Sequence, residues 1–163
     1  MEYYPTLVTL HIIFAGGWLI SFITDSILKK SISNKKNISE SKMLINLYLK
    51  VTNQLGMMGA SGILFTGILM VILNPGYGFF SMSANHWLAT KQTLMVVLLL
   101  IIFVFIIPTA RKIRNELQNN MVTDQSFSED IDKHLTKIYK LNTIVNLIVL
   151  LNFLFAITHR FIG

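Results

Sequence analysis

Three of the four histidines fall where imidazoles have few ordinary duties. His11 lies inside the first apolar block, His86 at the head of the third and His159 near the end of the fourth. Ionisable groups are costly in an apolar medium, so each needs a reason to be there. Imidazole ligates haem iron, copper or zinc, and helical bundles hold such groups between facing helices. Two axial ligands of one haem must approach it from opposite faces at nearly the same depth. His11 paired with His86 or His159 approaches that condition, and Met70 and Met95 are alternative thioether ligands. Met57 and Met58 lie nearer the other end of the second block and suit His11 less well. His134 stands in a charged connection and is expected to be solvated.

Other polar residues extend the pattern. His11, Ala15, Trp18, Phe22 and Asp25 follow helical spacing and define one stripe of the first block. That stripe is expected to line a bundle interior, with Trp18 able to pack on a porphyrin face. Asp25 is expected to pair with Lys29 one turn later; the alternative is a proton acceptor. Lys91 and Arg160 are the two cations away from the basic connections. Each can hold a carboxylate such as a haem propionate, or snorkel to lipid headgroups. Asn142, Asn146 and Asn152 in the fourth block are expected to hydrogen-bond between helices, and Asn152 is also placed to orient His159.

These residues must be positioned by elements that the composition defines. The chain has 163 residues, 53% of them hydrophobic and only 13% charged. A water-facing domain carries about 25% charged residues. The apolar residues are gathered in long blocks, which excludes a soluble enzyme, a disordered chain and an ordinary DNA-binding domain. There is no cysteine, so disulfides, thiolate catalysis and thiolate metal sites are excluded. No Gly-rich phosphate loop is present.

A bilayer core of about 30 Å needs roughly 20 apolar helical residues. Four segments qualify, at about 5–28, 51–73, 87–110 and 141–162. Pro5 suits a helix start, and Asn74-Pro75-Gly76 is a strong stop. Met1–Thr6 has no Lys or Arg and no small-residue cleavage site follows, so the first block is expected to remain as a span. Residues 29–50 and 111–140 contain 12 of the 14 Lys and Arg residues, and residues 74–86 contain none. Basic connections stay on the cytoplasmic side. Both termini and the loop 74–86 are therefore expected outside. The net charge of +6 then serves topology and lipid contact, and no nucleic-acid partner is expected.

Ser39–Lys50 shows apolar residues at helical spacing and is expected to continue into the second span. Ser126-Phe127-Ser128-Glu129 fits a capping box that would start a helix near Phe127. Asn115–Gln125 is polar and expected to be a loose linker. Tyr3, Tyr4, Tyr77, Phe79, Phe80 and Trp87 form an interfacial belt. Gly16, Gly17, Gly56, Gly59, Gly62 and Gly67 allow close helix approach, or leave room for a flat cofactor.

The order of short motifs resembles one family. Leu10-His11-Ile12-Ile13 with Gly16-Gly17-Trp18-Leu19 is similar to the opening helix of the HemJ/CopD-like four-helix membrane proteins. His86-Trp87-Leu88-Ala89-Thr90-Lys91 resembles that group's Trp-Leu-x-x-Lys start of the third helix, and Lys140-Leu141-Asn142 resembles its last. The likeness covers the four spans. HemJ-type members oxidise protoporphyrinogen IX and bind haem b. The resemblance implies a haem ligand at His11, a functional cation at Lys91 and a second ligand at Met57 or Met58. CopD-type members are linked to copper uptake. The chain departs from the HemJ pattern at Thr24–Lys30, where that type has a Pro-Arg-rich segment ending in Tyr-His.

The expectation is an all-α, integral membrane four-helix bundle in a single domain, placed in the bacterial inner (plasma) membrane. It would bind haem b and act in electron transfer or as an oxidoreductase. Cofactor-binding residues would be His11, His86, His159, Lys91 and Trp18, with His11, His86 and His159 as metal ligands. The expected partners are the lipid bilayer, a redox partner or quinone, and a second copy or larger complex. Alternatives are a copper-handling permease using His11, His86, Met82 and Met95, and a cofactor-free accessory subunit of a membrane complex.

Overall fold

The structure, a computed structural model, describes residues 3–34, 37–119 and 129–162, with the side chains of Ala84, Asn119, Glu129 and residues 159–162 outside that description. Its elements are α1 (Tyr4–Ser33), α2 (Ile38–Leu73), α3 (Met82–Leu100), a π-helical segment (Ile101–Ile106), α4 (Ile107–Asn119) and α5 (Glu129–Ile162). α3, the π segment and α4 form one continuous rod. The four resulting rods are each long and apolar enough to cross a membrane. The protein is thus an all-α membrane bundle.

Local chemistry explains the ends. Pro5 opens α1, where its missing N–H is not needed. The Asn37 side chain accepts the Ser39 N–H at 3.0 Å and caps α2. From there α2 runs without a break, as the spacing of Ser39–Lys50 predicts. It stops at Asn74, whose backbone is extended as the residue before a proline must be. Asn85 is extended too (φ −152°, ψ 84°), so regular winding of the third rod starts at His86. Its π segment lies just before Pro108. A proline lacks the N–H for an ordinary helical bond and crowds the carbonyl four residues back. The wider turn, in which the Ile107 N–H reaches Ile102 O, absorbs that conflict.

Two expectations need correction. The third rod passes Ala110 and continues to Asn119, so residues 115–119 are helical and not a loose linker. Ile113 and Leu117, four residues apart, give this polar stretch an apolar face, which packs on Ile131 and Leu135 of α5 and Ile45 of α2. The interior stripe of α1 is also shifted. Trp18, Ser21 and Asp25 are buried, whereas Phe22 is exposed on the flank. The proposed capping box at Ser126–Glu129 lies outside the described residues.

α1 packs along α2 and α5, and α5 also packs along α3, the π segment and α4. α2 packs against the third rod at α4, near the end that carries the basic connections. The core has two parts. Around Trp18, at mid-span, gather Ala60, Leu98, Val145 and Val149. Around Tyr48, at the basic end, gather Ile45, Ile113, Ile131 and Ile138. Large apolar side chains elsewhere, such as Ile12, Ile13, Phe65 and Phe103, face outward. On these helices that surface is the one the bilayer solvates.

At the opposite end, the loop after α2 is pinned to the helices beside it. Asn85 Nδ2 donates to Gly76 O at 2.9 Å, and the Phe80 N–H donates to the Gln92 side chain. That bond holds Phe80 at a positive φ of 54°. Tyr77 stacks edge-on against Trp87 at 6.3 Å. Hydrogen bonding with Tyr4, together with partial burial, pushes the Tyr77 phenol above its ordinary range.

The glycines of α2 divide by what stands opposite. A Cβ on Gly59 would come within 2.8 Å of Trp18 Cβ, and one on Gly62 would overlap the Phe14 ring. Close packing of α1 is therefore their role. A Cβ on Gly56 would meet nothing within 4 Å. Gly62→Ala is expected to destabilise by about 1–3 kcal/mol, the usual cost of overpacking. Gly56→Ala is expected to be neutral or slightly stabilising. Melting temperatures of the two variants in detergent check this.

Candidate functional site

The polar side chains form two groups at different depths. The first centres on His11. Its Nδ1 lies 2.7 Å from Thr66 Oγ1 across the α1–α2 interface. Thr66 Oγ1 donates in turn to Gly62 O at 2.6 Å, one turn back in its own helix. The hydroxyl proton is thereby spent on the carbonyl, so Nδ1 carries the imidazole proton and donates it to Oγ1. Nε2 is left as the free acceptor. The ring lies against Gly67, whose absent Cβ would stand 3.6 Å from His11 Cε1. Lys91 is close enough for its charge to act on His11. Its ammonium sits 5.2 Å from the centre of the Trp87 ring and has no carboxylate partner among the described residues.

The remaining expected ligands are placed differently. His86 is exposed, and about 7.5 Å further along the helix than Lys91 at 1.5 Å per residue. No described interaction links it to His11. The His159 side chain lies outside the described residues. Met57 and Met58 are exposed and eight or nine residues from Thr66, about 12 Å or more along the helix. Met95 packs against the Trp18 cluster. Trp18 itself is almost fully buried against Gly59 and the mid-span core. Among the described residues, no three His, Asp or Glu side chains converge to hold one metal ion. His134 is partly buried rather than solvated, 3.9 Å from Glu116.

The second group lies toward the basic end and is more tightly built. Asp25 is buried, and its Oδ2 is 2.6 Å from Lys29 Nζ, as the spacing of the two residues predicts. Tyr48 donates its hydroxyl proton to Asp25 Oδ1 at 2.7 Å, and Asn142 Nδ2 donates to that hydroxyl oxygen at 2.7 Å. Lys29 also donates to Tyr139 O at 3.1 Å and Thr143 Oγ1 at 3.2 Å. The Tyr139 ring stands edge-on to Tyr48 at 5.2 Å and receives the Lys29 cation on its face. This network joins α1, α2 and α5. Asn142 bonds between helices, as expected for an amide in lipid. Asn146, one turn further, is buried and makes no hydrogen bond to a described residue.

Asp25 and Asn146 share a cavity of about 50 Å³ with Ser21, Thr52, Asn53 and Asn142. Sequence reasoning identified Asp25, Lys29 and the asparagines but missed Tyr48, Tyr139 and Thr66. A depth count would have found Thr66. His11 is seven residues from the start of α1 and Thr66 seven from the end of the antiparallel α2.

Comparison of the chain with known protein families, with curated proteins and with solved structures finds no match. The resemblance to the HemJ/CopD group therefore stands only on the short motifs that carry it.

Tyr48→Phe removes the hydroxyl between Asp25 and Asn142 and strands both. The expected loss is about 1–3 kcal/mol, the penalty for buried polar groups left unpaired. A lower melting temperature with unchanged helical circular dichroism at 20–25 °C would be the result; an unchanged one would show that water replaces the phenol.

Proposed function

We propose that this membrane protein binds haem b in the bacterial plasma membrane and acts in electron transfer or as an oxidoreductase. His11 would be one of the residues that hold its iron. The observation that carries the reading is the His11–Thr66–Gly62 chain. A metal-ligating histidine almost always donates its other ring N–H to a fixed acceptor, which sets the tautomer and aims the free nitrogen. Here the donated proton is on Nδ1 and the free nitrogen is Nε2.

The donor set suits the group. His11 offers an imidazole at span depth, and Lys91 a cation without a carboxylate partner among the described residues, able to hold a propionate by a charge-assisted hydrogen bond. Haem, when bound, supplies one-electron chemistry. The chain's own residues then bind and orient: Thr66 holds the imidazole, Lys91 the propionate, and the apolar rods exclude water. Electron transfer further requires a redox partner, met within the membrane or at its surface.

Absorption spectra of protein purified from haem-supplied cells test the proposal. A Soret band that shifts on reduction is expected, and it should be lost in His11→Ala. Thr66→Val keeps the shape but removes the acceptor, and should weaken haem retention about 10–100-fold. A colourless preparation, or a spectrum indifferent to His11→Ala, would sink the reading.

A further inference from the structure

We infer that the cavity beside Asp25 binds the head of a neutral, lipid-dissolved quinone or quinol. The inference rests on the cavity and not on haem at His11. Its floor is polar, and one group in it is unsatisfied. Asn146 is 6% exposed, faces the cavity, and finds no hydrogen-bond partner among the described residues. Its amide atoms are reached from the cavity, so whatever fills the cavity has to pair with them.

The chemistry of the floor selects the guest. Asp25 and Lys29 neutralise each other at 2.6 Å. A charged head would bury a charge without a counterion, which is strongly unfavourable. An amide donates and accepts at adjacent atoms. Asn146 Nδ2 can donate to the carbonyl of a quinone, and its Oδ1 can accept from the hydroxyl of a quinol. Asn142 brings a second amide to the same wall.

The rim selects a ligand that arrives through the lipid. The cavity is only partly enclosed, and its lining includes Gly56 and Met57 of α2 and Ile102 and Ile106 of the π segment. Met57 is more than half exposed, and open space stands where a Cβ on Gly56 would be. Asn146 is five residues into the expected fourth span, about 7.5 Å below its basic end. The mouth therefore faces acyl chains rather than water. A cavity of about 50 Å³ holds roughly three to five waters. The carbonyl edge of a ring displaces these, while the rest of the ring and its tail lie in the gap beside Gly56.

Photolabelling of the full chain in lipid nanodiscs tests this, using a decyl-benzoquinone with an aryl azide on its tail. Labelling is expected near Gly56–Met57 or on the π segment, and unlabelled decyl-benzoquinone should compete while decyl phosphate should not. Gly56→Leu fills the mouth and Asn146→Leu removes the amide. Each should cut competed labelling about tenfold, the weight of one good hydrogen bond or contact. Both variants should melt no lower than the wild type, because the first meets open space and the second deletes an unpaired polar group. Uncompeted labelling, or labelling equal in all three proteins, would overturn the inference in favour of a merely hydrated cavity. So would a melting temperature several degrees lower in Asn146→Leu, which would make the amide a structural group. The label is read with or without haem, so this result and the spectra can fail independently.

Discussion

The structure depends on one constraint: in a span surrounded by hydrocarbon, every polar atom must find its partner within the protein. Asp25 is the clearest case. Its two oxygens are used by a lysine of its own helix and a tyrosine of the next, and that tyrosine is held by an asparagine of a third. The network fixes three rods at one depth and in one rotation. Apolar packing alone would not, since isoleucine and leucine faces slide against each other at little cost. Hydroxyls obey the same constraint more cheaply. Thr24, Ser26, Thr52, Thr93 and Thr109 each bond the carbonyl four residues back.

Thr66 is the exception that gains a second duty. It too returns its proton to a carbonyl of its own helix, but its oxygen also receives His11. The two polar groups therefore differ in kind. The one near the basic end holds the bundle together, apart from the amide at Asn146 and the Tyr139 hydroxyl, which is buried without a hydrogen-bond partner. The one around His11 holds an imidazole and an ammonium that have no carboxylate partner among the described residues. Incomplete groups are where a scaffold meets ligands, and His11 and Asn146 both lie within a few turns of Trp18.

Much of this was legible in the residues. Four apolar blocks give four rods, Asn74-Pro75 ends the second, and the four-residue spacing of Asp25 and Lys29 gives the ion pair. Two kinds of feature were not. The first depends on pairing across helices: Tyr48 and Thr66 look like ordinary interfacial and apolar-span residues until the register of α1 against α2 is known. The second depends on how weak local signals add to distant packing. Residues 115–119 are polar enough to suggest a linker, yet Leu117 and Ile113 keep them helical because α5 offers an apolar groove. Phe22 shows the reverse error, since a stripe four residues wide contains more positions than one helix–helix contact can cover.

The wide turn before Pro108 has a consequence for chain length. A π segment stores one residue more than ordinary winding needs over the same rise. Deleting one residue between Ile101 and Ile106 would let the rod wind regularly above the proline. Because the wide turn absorbs that residue's rotation locally, the portions on either side would keep their relative phase, and Ile113 and Leu117 would still meet Ile131 and Leu135. What the deletion would remove is the slack before Pro108, whose ring would then crowd the carbonyl four residues back. The extra residue is thus a local allowance for the proline: one rod carries an imino acid in mid-course without turning its basic-end face away from its neighbours.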